Sequence, residues 1–188
     1  MIKTLLHDFD SAVYATGYAA AGEPLPFVLA TVKSGIEKVR EQFPDVEEHK
    51  IFISGKGNFR DTLATIQPYK GNRDPSKRPE FYDEMRQYII DYHGAEAVQG
   101  MEAEDKCGIL QWATKDRRSC IVHIDKDVNM IPGWHYNPVK GISYYVTLAE
   151  ANEFFWTQVL TGDATDHIRG IKGMGPKTAA KLLAPCNN

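Results

Sequence analysis

The sequence predicts an α/β fold: a central, mainly parallel sheet flanked by helices. Three features lead there. Short apolar runs that read as buried strands recur along the chain, amphipathic segments of helical period separate them, and acids stand just past the strand ends. A strand–helix–strand succession favours parallel pairing, because the crossover helix returns the chain to the edge it left. With 188 residues the chain can bury one sizeable core and a small appended part.

Ile2 to His7 is the first apolar run, and it delivers Asp8 and Asp10 at its C-terminal end. Ser11 is placed to cap a helix reaching Ala21, and Gly22 to Pro26 breaks the chain. From Phe27 onward Val28, Val32, Ile36, Val39 and Phe43 recur at helical spacing, the mark of a helix packed on a sheet. Lys50 to Ser54 is the second strand. Between Gly55 and Pro79 the chain is rich in Gly, Asn, Pro and cations, with Tyr69-Lys70-Gly71-Asn72-Arg73 at its centre and Lys77-Arg78 just after. Composition alone makes this a solvated loop. The next helix places Phe81, Met85, Ile89 and Tyr92 on one face and is stopped by Gly94.

Ala95 to Gln99 is the third strand, and Glu102-Ala103-Glu104-Asp105 then opens a helix reaching about Thr114. Three acids at a helix start suit its dipole, yet Glu102 and Asp105 also share one face. Ser119 to Ile124 is the strongest strand and ends in Asp125-Lys126-Asp127. Trp134 to Tyr136 and Ile142 to Val146 add small strands. Leu148 to Leu160 is a helix with Leu148, Ala151, Phe155 and Val159 expected inward.

The stretch from Thr161 to Leu183, TGDATDHIRGIKGMGPKTAAKLL, concentrates the chemistry. Asp163 and Asp166 stand three apart, which on a helix points both carboxylates the same way, and two like charges together call for a cation. An isolated D-x-x-D also caps helices and faces water, so the pair alone leaves both readings open. Gly170, Gly173 and Gly175 then open a turn, Pro176 starts a helix, and Ala179, Ala180, Leu182 and Leu183 are its apolar run. Glycines let backbone N–H groups approach a phosphate, and a helix N-terminus favours an anion there. Arg169, Lys172, Lys177 and Lys181 surround the turn. This is the form of a helix-hairpin-helix, which grips a nucleic-acid backbone without reading bases. The plainer alternative is a helix-to-helix corner.

Composition removes several classes. A hydrophobic fraction of 43% with 25% charged residues is ordinary for a soluble globular protein. No apolar run approaches membrane-spanning length and MIKTLLHDFD lacks a signal-peptide pattern, so a cytoplasmic protein with no membrane partner is expected. Cys107, Cys120 and Cys186 form neither an even framework nor a C-x-x-C pair and are expected reduced, and no Cys/His cluster has zinc spacing. The net charge of −3 at first argues against a polyanionic partner. Nine acids nevertheless fall in the motifs above: Asp8, Asp10, Glu102, Glu104, Asp105, Asp125, Asp127, Asp163 and Asp166. With those facing metal ions, the remaining surface carries +6.

These acids come in four packets, three at strand ends or the helix starts that follow. In a parallel sheet those ends meet on one edge, where open α/β sheets place their sites. All but Asp10 are therefore expected in one pocket. So many carboxylates do not stay ionised together without divalent cations, and oxygen-only ligands select Mg2+ or Mn2+ over zinc. Two such ions activate a water and stabilise the leaving oxygen of a displacement at phosphorus, with no serine or cysteine nucleophile.

Five ordered motifs cover nearly the whole chain: HDFDSAVYA near the start, YKGNRD at 69–74, MEAEDK at 101–106, HIDKD at 123–127 and GDATDHIRGIKGMGPKTAAKLL at 162–183. In these the sequence resembles the 5′→3′ exonuclease and flap endonuclease family, especially its small bacteriophage and bacterial members, which have a PIN-like nuclease core. The resemblance implies that Asp8, Glu102, Glu104 and Asp105 hold one metal, with Asp125 between two sites. Asp127, Asp163 and Asp166 would hold or orient the second ion, partly through water. Lys70 and Arg73 would contact the scissile phosphate, acting with Asp8 and Asp125 in catalysis, and Tyr69 would stack on a terminal base.

On the same resemblance, residues 1–160 form the core, and its segment 55–93, with Lys77 and Arg78, is an arch or clamp admitting a single-stranded 5′ end. Residues 161–188 form a helix-hairpin-helix holding duplex DNA through Arg169, Gly170, Lys172, Gly173, Gly175 and Lys177, with K+ in its turn. The implied protein is a monomer hydrolysing DNA phosphodiesters with two Mg2+ or Mn2+ ions. Three departures stand out. Ser54 occupies the second strand's end, where the family usually supplies Asp, with Asp10 and Asp61 as candidates to compensate. Glu104 stands where Asp is commoner. The arch is short, and the sequence stops at Asn188, where relatives continue with further helices. Ser54 and that early end motivate a second reading, a DNA-binding protein of the same fold with weak or no nuclease activity. A PIN-type ribonuclease of the toxin kind ranks last, because those usually lack the hairpin and the YKGNR segment.

Overall fold

In the computed structural model, which describes residues 1–114 and 118–184, the first apolar run becomes the middle of a sheet. In chain order the main elements are β1 (Thr4–Asp8), α1 (Asp10–Ala19), α2 (Leu25–Gln42), β2 (Glu48–Ser54), the short α3 (Arg60–Leu63), α4 (Tyr82–His93), β3 (Glu96–Val98), α5 (Ala103–Ala113), β4 (Ser119–Val122), β5 (Gly133–Asn137), β6 (Ile142–Val146) and α6 (Leu148–Thr161). A two-stranded ribbon, β7 (Gly162–Asp163) and β8 (Ile168–Arg169), then leads through a turn into α7 (Pro176–Leu183). The main sheet has the order β3-β2-β1-β4-β5-β6; its first five strands are parallel, and only β6 runs antiparallel.

Alternation along the strands divides the core between the two faces. Ile51 and Ile53 of β2 pack with Val13 of α1, Val28, Val32 and Ile36 of α2, and Met85 and Ile89 of α4. Leu6, Phe52 and Ile121 point the other way, against Ala103 and Cys107 of α5 and Val128. Cys107 and Cys120 are buried free thiols, while Cys186 lies outside the described residues. Among the described residues no helix is long and apolar enough to cross a membrane.

Four sequence expectations are corrected. First, α1 starts at Asp10 with Phe9 at its cap, so Ser11 lies inside the helix. Second, Tyr92 is exposed, its ring 5.1 Å from that of Tyr88, because α4 packs on α1 and α2 and buries only Met85 and Ile89. Third, α6 buries only Ala151, leaving Leu148, Phe155 and Val159 about half exposed. The helix lies beyond the sheet, against α7 and the turn at 126–130, so its apolar spacing does not mark a core face. Thr147 and Glu150 fix its start by a reciprocal cap. Fourth, Asp163 and Asp166 are not helical; Asp163 ends β7 and Asp166 lies in the turn before β8. An i,i+3 spacing juxtaposes side chains in a tight turn as it does on a helix.

Candidate active site

The chain leaves β1 toward β2 and β3, then returns to β1's other side as β4 and β5, so the switch in direction falls between β1 and β4. A crevice at such a point is where open α/β sheets bind ligands. Asp8 ends β1, and Asp125 follows β4 as the cap of a short 3-10 turn, its carboxylate accepting from Asp127 N–H at 3.0 Å. Asp8 is buried, and its carboxyl is pushed up by that burial first and then by the charges of Asp10, Asp125 and Glu102. Glu104, in the first turn of α5, is raised to about 8 by burial, with Asp8 and Glu102 adding to it.

The eight acids expected in one pocket divide between two. A cavity of about 390 Å3 is lined by Asp8, Glu102, Glu104 and Asp125, together with Asp10, Ser54, Lys70 and Arg73. A second, of about 430 Å3, takes Asp105, Asp127, Asp163 and Asp166, and Glu104 lines both. Gln158 of α6 reaches Asp127 at 2.5 Å and Asp163 at 3.3 Å, and Lys126 reaches Asp163 at 3.3 Å. Burial pulls Asp163 upward, but the N–H groups of Thr165 and Asp166 and the Lys126 charge outweigh it and hold its carboxyl low. Asp127 is raised by burial and by Asp125 and Asp163.

Protein cations occupy the acids' oxygens. Lys70 Nζ lies 2.5 Å from Glu102, Arg73 2.9 Å from Asp166, and Arg60 forms a fork on Asp105 at 2.5 and 2.8 Å. Asp105 also accepts from Glu102 N–H at 3.0 Å. The Tyr69 hydroxyl bridges Glu102 at 3.1 Å and Asp166 at 2.8 Å, so its ring is tied between the packets. Among the described residues no three acids yet converge as a ready-made metal cage. The donor set still fits hard divalent ions: all oxygen, with two carboxyls, Asp8 and Glu104, that burial keeps protonated unless a cation joins them.

Ser54, at the end of β2, is tied to Asp10. Its N–H donates to the Asp10 carboxylate at 2.9 Å, its hydroxyl donates to the same group, and Ala103 N–H donates to Ser54 Oγ at 3.0 Å. Asp10 thus sets its carboxylate against Ser54, while Asp61 is exposed. Arg86 of α4 pairs with Asp10 at 2.9 Å and also donates to the Ser54 carbonyl. Behind Asp125, His123 bonds its carbonyl at 2.6 Å, and His135 joins His123 at 3.0 Å.

Of the residues expected to contact nucleic acid, Arg78 lines the first cavity, and Lys77 ends a 3-10 turn beside it. Arg169, Lys172 and Lys177 line neither acidic cavity. Gly173 makes the turn, at φ +80°, and Gly175 caps α7. Gly170 serves close packing instead, since a Cβ there would fall 2.1 Å from the Thr161 carbonyl carbon, and its absence lets the ribbon close on α6. Sequence patterns do not single out Arg60, Asn58, Arg86 or Gln158. Asn58, which donates to Glu102 at 3.0 Å, lies in an aperiodic loop, and Arg60 opens α3, which at four residues is too short to show a period, whereas Arg86 sits one residue past the core position Met85, facing the cavity.

A five-stranded parallel sheet with acids along one edge defines a PIN-like α/β fold. The chain is similar to the 5′-3′ exonuclease of Mycobacterium tuberculosis, at 26% identity over 88% of this chain and 63% of that one. It also matches the DNA polymerase I of Pseudomonas aeruginosa, at 29% identity over 77% of this chain but only 17% of the polymerase. It thus spans about a fifth of the length of the polymerases it matches. Among solved structures, T5 5′-exonuclease superposes with a TM-score of 0.74 at 16% identity, covering 100% of this chain and 76% of that one. No family model matches the sequence. By these likenesses the chain is similar in sequence to 5′-3′ exonucleases and shares the fold of T5 5′-exonuclease.

Proposed function

We propose that this protein is a metal-dependent 5′→3′ exonuclease and flap endonuclease that hydrolyses DNA phosphodiester bonds. The observation that carries it is the meeting of Asp8, Glu102, Glu104 and Asp125 in one cavity with Lys70 and Arg73. Related solved structures are described as T5 5′-exonuclease with divalent metal ions and as T5 D15 flap endonuclease with DNA and metal ions. Asp8, Glu102, Glu104 and Asp105 would hold one ion, Asp125 would stand between the two sites, and Asp127, Asp163 and Asp166 would hold or orient a second. Two Mg2+ or Mn2+ ions there supply a nucleophilic water at neutral pH and charge opposite the leaving oxygen.

The remaining work falls to the chain. With ions held on the acids, Lys70 and Arg73 would be free to turn from Glu102 and Asp166 to the phosphate, where their charge would match the charge that develops in the transition state. Lys70 is suited to this because its backbone is left-handed, φ 51°, and is held by an N–H bond to the Asp166 carbonyl at 3.0 Å. Tyr69 stays as a platform for a terminal base. The turn with Gly173 and Gly175, Arg169, Lys172 and Lys177 would grip the duplex backbone as a helix-hairpin-helix, with K+ in its loop.

The test is a 5′-flapped duplex labelled at either end, incubated with Mg2+, with Mn2+ and with chelator, beside Asp125→Asn. Metal-dependent loss of 5′ nucleotides or a short flap, absent in the variant, is expected. Binding without cleavage in either metal would instead support a DNA-holding form of the fold, the reading that Ser54 in place of an acid motivates.

A further inference from the structure

Four cations line the cavity at the strand ends: Lys70, Arg73, Arg78 and Arg86. Three of them already face carboxylates of this chain, Lys70 on Glu102, Arg73 on Asp166 and Arg86 on Asp10. Arg78 has no carboxylate partner among the described residues. Its guanidinium instead lies over the ring of Tyr82, 4.8 Å from the centroid, with Arg86 over the same ring at 5.4 Å. Tyr14 packs on Tyr82 in turn, ring to ring at 5.2 Å. Stacking fixes the plane of a guanidinium while leaving its N–H edge open, which is how arginine presents a fork to a phosphate.

The backbone under Arg78 is held as firmly. Pro79 is buried against Gly17 of α1, so close that a Cβ at position 17 would fall 2.5 Å from Pro79 Cβ. On the other side, the Tyr18 hydroxyl donates to the Lys77 carbonyl. Arg78 thus stands between two anchored residues and has little freedom left to lose on binding an anion.

We propose that Arg78, laid on Tyr82, binds the 5′-terminal phosphate of the strand being cut, so that the protein prefers 5′-phosphorylated ends to 5′-hydroxyl ends. This rests on the nuclease reading of the cavity. Arg78 lines the same cavity as Asp8, Glu102, Glu104 and Asp125, so a strand whose scissile phosphate lies at those acids and whose 5′ side enters the cavity brings its end toward the stacked guanidinium. A terminal phosphate also presents three oxygens and about −1.5 to −2 charges, where an internal diester presents one charge. Of the other acids on this side, Asp74 is turned onto Ser76 N–H and Oγ, and Asp83 also lines the cavity, which moderates the anion's attraction.

The test uses the full chain and two otherwise identical duplexes, one ending in a 5′-phosphate and one in a 5′-hydroxyl. Binding is read by fluorescence anisotropy in chelator, and nucleotide release is read with Mg2+ and with Mn2+. The unaltered protein should bind the phosphorylated end about tenfold or more tightly, and Arg78→Gln should bring that ratio close to one. Arg78→Lys keeps the charge but loses the stacked fork, and an intermediate ratio is expected; it carries the test should the glutamine variant fail to fold. Equal binding of both ends by the unaltered protein overturns the proposal. So does an equal weakening of both ends in Arg78→Gln, which would place Arg78 on an internal diester. A protein that prefers the phosphorylated end through Arg78 yet cuts nothing in either metal supports the subsite and sinks the nuclease reading, so the two failures are distinguishable.

Discussion

Lys70 Nζ sits 2.5 Å from Glu102 Oε1, an ammonium placed where an ion on the Glu102 carboxylate would compete with it. Replacing Lys70 by Met keeps the length and removes that competitor. Cleavage of a flapped duplex is expected to fall by about 10²–10³-fold, while Mg2+ affinity measured by calorimetry stays level or tightens. Weaker metal binding in the variant would mean that the lysine organises Glu102 rather than competing for it.

Arg60 makes the same kind of substitution at Asp105, with a fork partly shielded from solvent. Arg60→Ala should lower stability in chelator by about 1–3 kcal/mol, the cost of leaving a hydrogen-bonded carboxylate without its partner. With Mg2+ present the loss should shrink, because an ion takes over the charge. Denaturant titrations in both conditions decide this, and an equal loss in each would make Arg60 purely a fold contact.

The Ser54–Asp10 pairing predicts a coupled exchange. Ser54→Asp alone sets a second carboxylate against Asp10 and should lower metal-free stability by about 1–2 kcal/mol. Adding Asp10→Ser moves the acid back onto β2 and should recover most of that loss and the metal affinity. Additive effects in the double-mutant cycle would show that the two positions are independent.

Stability in chelator should peak near pH 6.5. Asp8 and Glu104 have raised carboxyl pKa values, so the folded chain holds protons that the unfolded chain has released; that contribution is lost as pH rises from about 4.5 toward 8. His7, His49, His123 and His135 are lowered by burial, the last three to about 4. Their contribution is full above about 6.5 and lost as pH falls. Thermal unfolding between pH 5 and pH 8.5 reads both limbs, and saturating Mg2+ should remove the alkaline one, because bound ions keep the acids ionised.

Two glycines should respond in opposite directions. Gly17→Ala drives a methyl into Pro79 and Met85 and should cost about 1–3 kcal/mol, a fall of about 2–4 °C per kcal/mol in a chain of this size. Gly35, on α2 with no neighbour within 4 Å, should tolerate Ala with a gain of about 0.5–1 kcal/mol. Calorimetric melting of both variants checks the pair.

The acids at the ends of β1 and β4 are legible because an apolar run stopped by carboxylates has few other meanings. What lies between the motifs is not. Asp10 and Ser54 are far apart in sequence and meet only because β1 and β2 pair in a register that sets Asp8 beside Phe52. Arg60 owes its place to α3, a helix of four residues, too short to show a period. The face of α6 misleads because apolar spacing says which side is greasy, not what stands opposite it, and here much of that side faces the second cavity. The Asp163–Asp166 spacing marks a true juxtaposition, but a turn rather than a helix produces it.

The position of β1 bears on how the protein is made. Its two neighbours come from Glu48–Ser54 and from Ser119–Val122, so the strand stays half-paired until more than a hundred further residues have been synthesised. At about 5–20 residues per second that is a wait of roughly 6–23 s. During it Asp8 has no Asp125 across from it, so the two acids at the sheet's switch point come together only after β4 has been made.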